Sequence, residues 1–491
     1  MRYILAIAIT MLIALYGACA SAYPVKITYS GMVPDDVREQ IDARLPDEPD
    51  AESELHARRQ ARRARATVES ILNAYGYLDP TIETAVVGEA DQARPELSVD
   101  PGARFAVREL LIRYVGEPPR DADVRIAREA IAMQPGMAAV AAQVIDQERL
   151  IGQALRNQGY PYAEVLGREV IGDRDAKTIS VRYTVRSGSR VQFGDTHIPD
   201  GLRTRDRYLM RINPVEAGTV FNPAELALYN SRLAETRLFN TALAKLSDTP
   251  VDILDDGTEV RDVELHLTER PRNTLTLGTG FDTSEGFGID AELLRRNLTG
   301  RGDLLIGTAR IAQRETGLDL VWRRPNQLGY GQGLTLYASA FDEDTDAFIQ
   351  QTGKIGVGVE VSKGPQFQYN YGAETRYIRQ SGESERKDFQ VVSFNGSVLI
   401  DRADSLLDPR RGWRAEARVR PTYAFTQDGP DSPYVRAVAL GRYYLPLTHD
   451  TRYVLAGRLR MGTLGGAEAT DVPAEDRFFS GGGGSVRGYA F

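Results

Sequence analysis

The sequence lacks the residues that cross-link small proteins or hold metal ions. Its 491 residues include one cysteine and four histidines. One cysteine cannot form a disulfide within the chain, and so few histidines argue against a Cys/His metal site. The sequence also lacks a basic excess, because 60 lysines and arginines stand against 68 aspartates and glutamates, for a net charge of −8. We therefore predict no metal, no other cofactor and no nucleic-acid partner.

Long apolar runs are absent after residue 22, so no membrane-spanning helix is predicted there. Before it, a short basic start leads into the apolar stretch Ile4–Tyr16 and then to Ala20-Ser21-Ala22, the small-residue pattern of a signal-peptidase site. We predict a cleavable signal peptide over residues 1–22; a signal anchor or a lipoprotein site at Cys19 are the alternatives. An exported chain without such a helix is periplasmic, secreted or an outer-membrane β-barrel.

A strand–helix–helix–strand–strand order repeats three times between residues 23 and 270. In the first repeat, apolar residues spaced by three and four predict one buried helix face: Ala57, Ala61, Ala64, Val68, Ile71 and Tyr75. The helix end Leu72-Asn-Ala-Tyr-Gly-Tyr77 returns about 80 residues later as Leu155-Arg-Asn-Gln-Gly-Tyr160. This period predicts three small α/β modules, over residues 23–102, 103–188 and 189–270.

Helical periodicity stops at Arg270-Pro271, and residues 271–491 contain eleven strand candidates separated by polar or glycine-rich turns. In the ninth, over Gly412–Ala424, apolar residues alternate with charged ones. Most candidates are about twice as long as the ~5–6 residues typical of a soluble β-sandwich, which is the alternative. Alternation with one charged face fits a barrel with lipid outside and water inside. Bacterial barrels generally have an even number of strands, so we expect that the sequence stops before the barrel closes.

The end of the chain carries a glycine-rich segment, Arg477–Tyr489, in which Gly481–Gly484 precede Arg487. The segment lacks the Lys-Ser/Thr of a phosphate-binding P-loop, and Ser485 is not followed by x-Gly as in a nucleophile elbow. No other arrangement in the sequence points to catalysis, so we predict that the protein is not an enzyme. A lone arginine among apolar residues needs an acidic partner if it is buried; an exposed loop with a solvated arginine is the alternative.

Two stretches resemble a known family. Val486-Arg487-Gly488-Tyr489 is similar to a loop signature of the POTRA–barrel assembly factors of the outer membrane, the superfamily that includes BamA, TamA and the two-partner secretion transporters. The other familiar barrel motif of this group is similar to these residues: Asp401, Asp404, Asp408, Pro409, Gly412 and Trp413. The resemblance implies an α+β series of POTRA repeats (β-α-α-β-β), followed from residue 271 by an antiparallel transmembrane β-barrel. The family barrel has sixteen strands, so about eleven are present here and the C-terminal strands are missing.

The resemblance also implies a position for the glycine-rich loop. The loop follows the eleventh strand and acts as a lumenal anchor, with Gly481, Gly482, Gly483 and Gly484 letting it fold back into the barrel. Arg487 then points into the lumen, where it pairs with acidic residues on late strands that this sequence does not include.

A function follows from the same resemblance. Three POTRA modules are similar to the TamA branch, so we expect a factor that inserts or translocates outer-membrane proteins such as autotransporters. The barrel lies in the outer membrane and the modules in the periplasm. The implied partners are a TamB-type protein anchored in the inner membrane, unfolded outer-membrane protein clients and outer-membrane lipid, with phospholipid delivery as a further role. The alternatives are a BamA-like general assembly protein and a two-partner-secretion-type channel for one dedicated substrate.

Overall fold

The computed structural model describes residues 25–45, 48–88, 93–282, 286–344, 349–381, 386–427, 430–448 and 450–478. The predicted signal peptide, residues 1–22, lies outside these ranges. Two compact units make up the chain: Met1–Gly194 with Ala217–Pro223 and Asp248–Arg261, and Asp195–Glu216 with Ala224–Ser247 and Asp262–Phe491. Among the described residues, no helix is both long enough and apolar enough to cross a membrane.

The first α/β segment packs two helices against a three-stranded sheet. Its elements in chain order are β1 (Lys26–Tyr29), α1 (Asp35–Arg44), α2 (Glu54–Ala74), β2 (Thr81–Val87) and β3 (Arg94–Asp100). The strand order is β1-β3-β2, with β1 parallel and β2 antiparallel to β3. Ser53 caps α2 by accepting a hydrogen bond from the backbone N–H of His56. The predicted apolar face of α2 is buried from Ala57 to Ile71, and Gly76 ends the helix with a φ of +92°.

The second α/β segment repeats this arrangement. Its elements are β4 (Ala106–Tyr114), α3 (Asp121–Glu129), α4 (Ala141–Asn157), β5 (Glu164–Asp173) and β6 (Thr178–Arg186). The strand order is β4-β6-β5, again with one parallel and one antiparallel pair. Ile151 and Leu155 of α4 share a core with Val181 and Tyr183 of β6. Gly159 follows α4 with a φ of +97°, so both copies of the Gly-Tyr helix end use glycine in a left-handed conformation.

The third α/β segment has the same order and one additional short strand. Its elements are β7 (Val191–His197), α5 (Asp206–Ile212), α6 (Pro223–Glu235), β8 (Phe239–Leu246), β9 (Asp252–Ile253) and β10 (Glu259–Glu269). The strand order is β7-β10-β8, and β9 pairs with β10. The sequence pattern did not predict β9, because two residues are too few to show an alternation.

The strands that follow form one antiparallel sheet in which each strand pairs with the next in sequence. They are β11 (Asn273–Asp282), β12 (Gly286–Arg296), β13 (Leu304–Ala312), β14 (Glu315–Gly329), β15 (Gln332–Asp344), β16 (Ile349–Ser362), β17 (Phe367–Ser381), β18 (Arg386–Asp401), β19 (Gly412–Thr426), β20 (Ser432–Pro446) and β21 (Val454–Gly465). The predicted fold class, α/β modules followed by the start of an antiparallel barrel, is confirmed. β14 continues past Pro325 to Gly329 through an irregularity after Arg324, which accommodates a proline that cannot donate a ladder hydrogen bond.

The eleven-stranded sheet has two chemically different faces. Large apolar side chains are exposed on the face that we call the outer face, among them Leu275 and Leu277 of β11 and Leu318 and Leu320 of β14. The opposite face, which we call the inner face, carries polar and charged residues such as Arg376. This division is the alternation that the sequence predicted, because successive side chains of a strand point to opposite faces.

Candidate functional site

The segment that follows β21 packs on the inner face of the sheet. It contains two short 3₁₀ turns, Ala469–Asp471 and Ala474–Asp476. Between the two turns, Val472 is fully buried in an apolar cluster with residues of β17 to β20: Ile378, Phe389, Val391, Ala424 and Tyr434. The first part of this segment is therefore held in place by hydrophobic contacts with four strands.

Asp476 lies at the centre of a buried ionic cluster next to these contacts. Its side chain is 1% exposed and the Arg376 side chain is 3% exposed. Asp476 Oδ2 accepts hydrogen bonds from Arg376 Nη2 at 2.7 Å and from the Tyr434 hydroxyl at 2.5 Å. Asp476 Oδ1 accepts one from Arg420 Nη1 at 2.8 Å. Both carboxylate oxygens are thus satisfied, which a buried charge requires.

A second carboxylate of the same segment completes the arginine's surroundings. Glu475 pairs with Arg376 and accepts a hydrogen bond from Gln350 Nε2 at 3.0 Å. On the strands themselves, Glu374 Oε1 lies 3.4 Å from Arg376 Nε, and its other oxygen accepts a hydrogen bond from the Tyr337 hydroxyl at 2.7 Å. Two arginines and three carboxylates therefore neutralise most of each other's charge where the dielectric is low.

This arrangement is suited to holding the segment in place. The cluster consists of carboxylates that are engaged by guanidinium and hydroxyl donors, with no histidine or cysteine among the residues just named. Throughout the described ranges, no group of three or more His, Cys, Asp or Glu side chains is placed to hold a metal ion. The geometry is that of an anchor, which we call the loop anchor and define by Arg376, Arg420, Tyr434, Glu475 and Asp476.

Sequence reasoning placed the anchor elsewhere in the same loop. The predicted loop glycines Gly481–Gly484 and the motif Val486–Tyr489, including Arg487, lie outside the described residues, so their predicted role stays a prediction. Arg420 of the loop anchor is one of the charged residues that alternate along Gly412–Ala424, the pattern from which the sequence predicted a wet inner face. Asp476 and Arg376 were missed, although the alternation of Glu374, Arg376 and Ile378 along β17 was a usable signal.

The second predicted motif forms the turn between β18 and β19. Asp401 is buried at the end of β18 and accepts a hydrogen bond from Arg414 Nε at 2.9 Å, its partner in register on β19. Asp404 Oδ1 accepts hydrogen bonds from the backbone N–H groups of Arg410 at 2.9 Å and Arg411 at 3.1 Å. These two backbone hydrogen bonds lower the pKa of Asp404 below its usual value.

The remaining motif residues shape the same turn. Asp408 forms an exposed ion pair with Arg410, and Pro409 between them is half-buried. Gly412 has a φ of +104°, and a Cβ built on it would lie 2.1 Å from the carbonyl oxygen of Arg402. The Arg402 N–H donates to the carbonyl oxygen of Trp413 at 2.8 Å, which starts the ladder of β19. Hydrogen bonds to backbone groups within the motif therefore hold this turn.

A third polar cluster joins the residues before α5 and the end of β10 to the turn between β12 and β13. Glu269 accepts hydrogen bonds from the Thr204 hydroxyl at 2.7 Å and from Arg203 Nε at 2.8 Å. Burial opposes ionisation of Glu269, but these bonds and those from the two backbone N–H groups outweigh it, so its pKa is lowered. The Thr204 hydroxyl also accepts a hydrogen bond from Asn297 Nδ2 at 2.8 Å. Glu269, at the end of β10, is thus linked through Thr204 to Asn297 in the turn between β12 and β13.

These observations define a class: tandem α/β modules that lead into the start of a β-barrel, with an inward-packed loop after the eleventh barrel strand. Residues 297–491 match the family model of the Omp85 superfamily domain, and residues 26–101 match that of POTRA domain TamA domain 1. The chain is therefore similar to the Omp85 superfamily domain over its C-terminal part and to a TamA-type POTRA domain over its first α/β segment.

Curated relatives are similar to most of the chain, and a solved structure has a similar fold. The chain is 24% identical over 359 residues to the outer membrane protein assembly factor BamA of Nitratidesulfovibrio vulgaris, covering 70% of this chain and 43% of that protein. It is 23% identical over 449 residues to the same-named protein of Neisseria meningitidis serogroup B, covering 84% and 54%. The chain spans about half the length of these relatives. The crystal structure of BamA from Haemophilus ducreyi lacking POTRA domains 1–3 has the same fold, with a TM-score of 0.64 at 17% identity over 79% of this chain and 76% of that one.

Proposed function

We propose that the protein is an assembly factor that inserts outer-membrane proteins such as autotransporters, with its barrel in the outer membrane and its POTRA modules in the periplasm. The observation that supports this most strongly is the continuity of two parts. A TamA-type POTRA domain begins the α/β series, and the series runs into an antiparallel sheet whose outer face is apolar. Such a face is suited to contact with lipid. The proposal includes a signal peptide at residues 1–22, module boundaries at 102/103 and 188/189, and a barrel from residue 271.

A free strand edge in the second module supports a way for clients to bind. β5 lies at the edge of its sheet and, within the described part of the chain, pairs with β6 alone. Leu166, Val170 and Ile171 are exposed along it. An unfolded client segment can add to such an edge through backbone hydrogen bonds, with side chains resting on the exposed apolar residues. This mode of assembly needs no chemical step, so the proposed factor is not an enzyme.

The experiment that tests the proposal is insertion of a client into liposomes. The purified protein is reconstituted, an unfolded autotransporter barrel domain is added, and folding is followed by the heat-modifiable migration of the client on a gel. We expect faster folding than in liposomes without the protein. No acceleration would contradict the assembly function.

A variant of the edge strand separates the docking edge from the function as a whole. Val170→Lys with Ile171→Lys places charge along β5 and is expected to slow client folding severalfold, because charged edges resist strand addition. Leu55→Lys, at an exposed apolar residue of α2, is the matched control and should leave the rate unchanged. A double variant as active as the unmodified protein would exclude β5 as the docking edge but leave the assembly function in place.

The partner of the protein is part of the proposal. The TamA-type POTRA domain favours a TamB-type partner anchored in the inner membrane. The second candidate function, general barrel assembly of the BamA kind, is favoured by the BamA relatives. A pull-down with the tagged protein from cell envelopes distinguishes them. A large inner-membrane-anchored protein supports the first, and lipoproteins of the BamD kind support the second.

A further inference from the structure

A pocket lined by five arginines lies where α5 meets the ends of β12, β13 and β14. Its volume is about 300 Å³, and Tyr208 and Gln327 complete much of its wall. The arginines come from three places in the sequence: Arg205, Arg207 and Arg211 from α5 and its start, Arg301 from the turn between β12 and β13, and Arg324 from β14. Their convergence is a product of the fold, since more than 110 positions separate the first from the last.

The charge of these arginines is not balanced locally. Among the described residues, no carboxylate lies within ion-pair distance of any of the five guanidinium groups. Arg211 Nη1 donates to the carbonyl oxygens of Asn326 and Gln327, at 2.9 and 3.2 Å, which leaves its charge in place. Five like charges around one small pocket repel one another, and this cost falls when an anion binds.

Two carboxylates near the pocket, those of Asp303 and Asp206, form no ion pair with its arginines. Asp303 accepts hydrogen bonds from the Thr299 hydroxyl at 2.8 Å and from Trp322 Nε1 at 3.0 Å. Asp206, at the first position of α5, is exposed and forms no ion pair among the described residues. Asp303 keeps its charge and lies close enough to act on Arg324, but one carboxylate leaves most of the charge of the five arginines unbalanced.

The pocket is held in shape before any ligand binds. The Arg205 N–H donates to the carbonyl oxygen of Gly300 at 2.8 Å, which fixes the turn against the start of α5. Gly302 has a φ of +74°, and a Cβ built on it would lie 2.4 Å from the Tyr208 ring. The turn that carries Arg301 can approach α5 this closely because both flanking residues are glycines. A preorganised site loses less entropy when it binds its ligand.

The order of the side chains on the outer face of β14 indicates the depth at which the pocket lies in a membrane. Val321 pairs with Tyr337, whose hydroxyl contacts Glu374 on the inner face, so the even-numbered residues of β14 belong to the outer face. Along that face the order is Leu318, Leu320, Trp322 and Arg324. Apolar residues, then an aromatic residue, then a basic one is the order that runs from the hydrocarbon core to the headgroup level of a membrane.

We propose that the arginine pocket binds the phosphate of an anionic phospholipid headgroup. Guanidinium groups hold phosphate oxygens in pairs of parallel hydrogen bonds, and basic pockets beside membrane-spanning segments recognise lipid headgroups. The level of the pocket next to the lipid-facing strand assigns the phosphate to lipid rather than to free phosphate. This inference rests on the proposed position of the sheet in a membrane and is independent of client insertion.

Calorimetric titration with a soluble short-chain lipid tests the proposal. The full protein is purified in a maltoside detergent and phosphate-free buffer, then titrated with dihexanoyl phosphatidylglycerol, with uncharged dihexanoylglycerol and with inorganic phosphate. We expect binding of phosphatidylglycerol, none of the uncharged lipid, and at least tenfold weaker binding of inorganic phosphate. Equal binding of the uncharged lipid would overturn the phosphate site, and equal binding of inorganic phosphate would overturn its assignment to lipid.

Substitutions locate the binding in the pocket. Arg207→Gln, Arg301→Gln and Arg324→Gln together should weaken phosphatidylglycerol binding about 100-fold, and each alone about fivefold. The charge-matched control, Arg59→Gln with Arg62→Gln and Arg65→Gln on the exposed face of α2, should bind as the unmodified protein does. The single variants guard against misfolding of the triple variant, and normal binding by all three would overturn the proposal. Because the titration contains no client, failure of client insertion would leave its result unchanged.

Discussion

At the scale of single residues, Asp476 is the group on which the loop anchor depends most. It is buried and satisfies two arginines and Tyr434 at once. Asp476→Asn removes one of the three carboxylates and its two charge-assisted hydrogen bonds, while Glu374 and Glu475 still face Arg376. A hydrogen bond to a charged group contributes ~1.5–3 kcal/mol, so we expect a loss of that order. We expect a lower melting temperature and faster proteolytic cleavage at Arg477, measured by circular dichroism and limited trypsin digestion.

The control for this substitution is Arg418→Gln. Arg418 pairs with Glu416 but is 67% exposed, and exposed pairs contribute only ~0–1 kcal/mol. Tyr434→Phe should be intermediate, since it removes one hydrogen bond and leaves the ion pairs. If Asp476→Asn melts and digests like the Arg418 variant, the loop anchor does not stabilise the sheet.

Glu269 provides a prediction about acid stability. Its pKa is lowered in the folded protein from an ordinary value of 4.5, so the folded state binds this proton less tightly than the unfolded state. The stability that ionised Glu269 contributes is therefore complete above pH 4.5 and is lost as the pH falls through the lower, folded-state pKa. Glu269→Gln should lower stability near pH 7 and flatten the decline below pH 4.5, in urea melts at a series of pH values. An acid limb as steep as that of the unmodified protein would contradict the assignment.

At the scale of elements, the turn between β18 and β19 depends on Gly412. Its positive φ and its contact with the Arg402 carbonyl leave no room for a Cβ. Gly412→Ala should destabilise the protein by about 1–3 kcal/mol, because a left-handed backbone and a backbone clash both oppose the alanine. Urea unfolding of the purified protein measures the effect.

Gly457→Ala is the matched control for that turn. Gly457 lies in β21, where a Cβ would meet no atom within 4 Å, so alanine is expected to be neutral or slightly stabilising. Equal effects of the two substitutions would show that the turn tolerates another conformation.

At the scale of the whole molecule, α5 of the α/β series is predicted to depend on its contacts with the sheet. Residues 23–270, expressed alone, should form a soluble protein with cooperative melting, since its segments have their own cores. The excised protein loses the bonds from Asn297 to Thr204 and from Arg205 to Gly300. Amide protection of α5 should fall about tenfold by hydrogen exchange, while α2 and α4 keep theirs. Unchanged protection of α5 would contradict the dependence.

The sequence alone determined most of the elements, because a helix and a strand are periodic within a few neighbouring residues. The spacing of Ala57, Ala64 and Ile71 predicted a buried face of α2, and alternation along β19 predicted a sheet with two unlike faces. Turn glycines such as Gly76 could also be predicted from the sequence, since a left-handed backbone conformation favours glycine.

Only the tertiary structure decided which distant charges meet. Arg376 and Asp476 are 100 positions apart, and the five arginines of the pocket come from three separate segments. With 60 basic and 68 acidic residues in the chain, no local pattern marks one pair among so many. The choice depends on the register of the strands and on the path of the loop across the inner face. Burial then strengthens the interaction within these ion pairs, because packing excludes water and lowers the local dielectric constant.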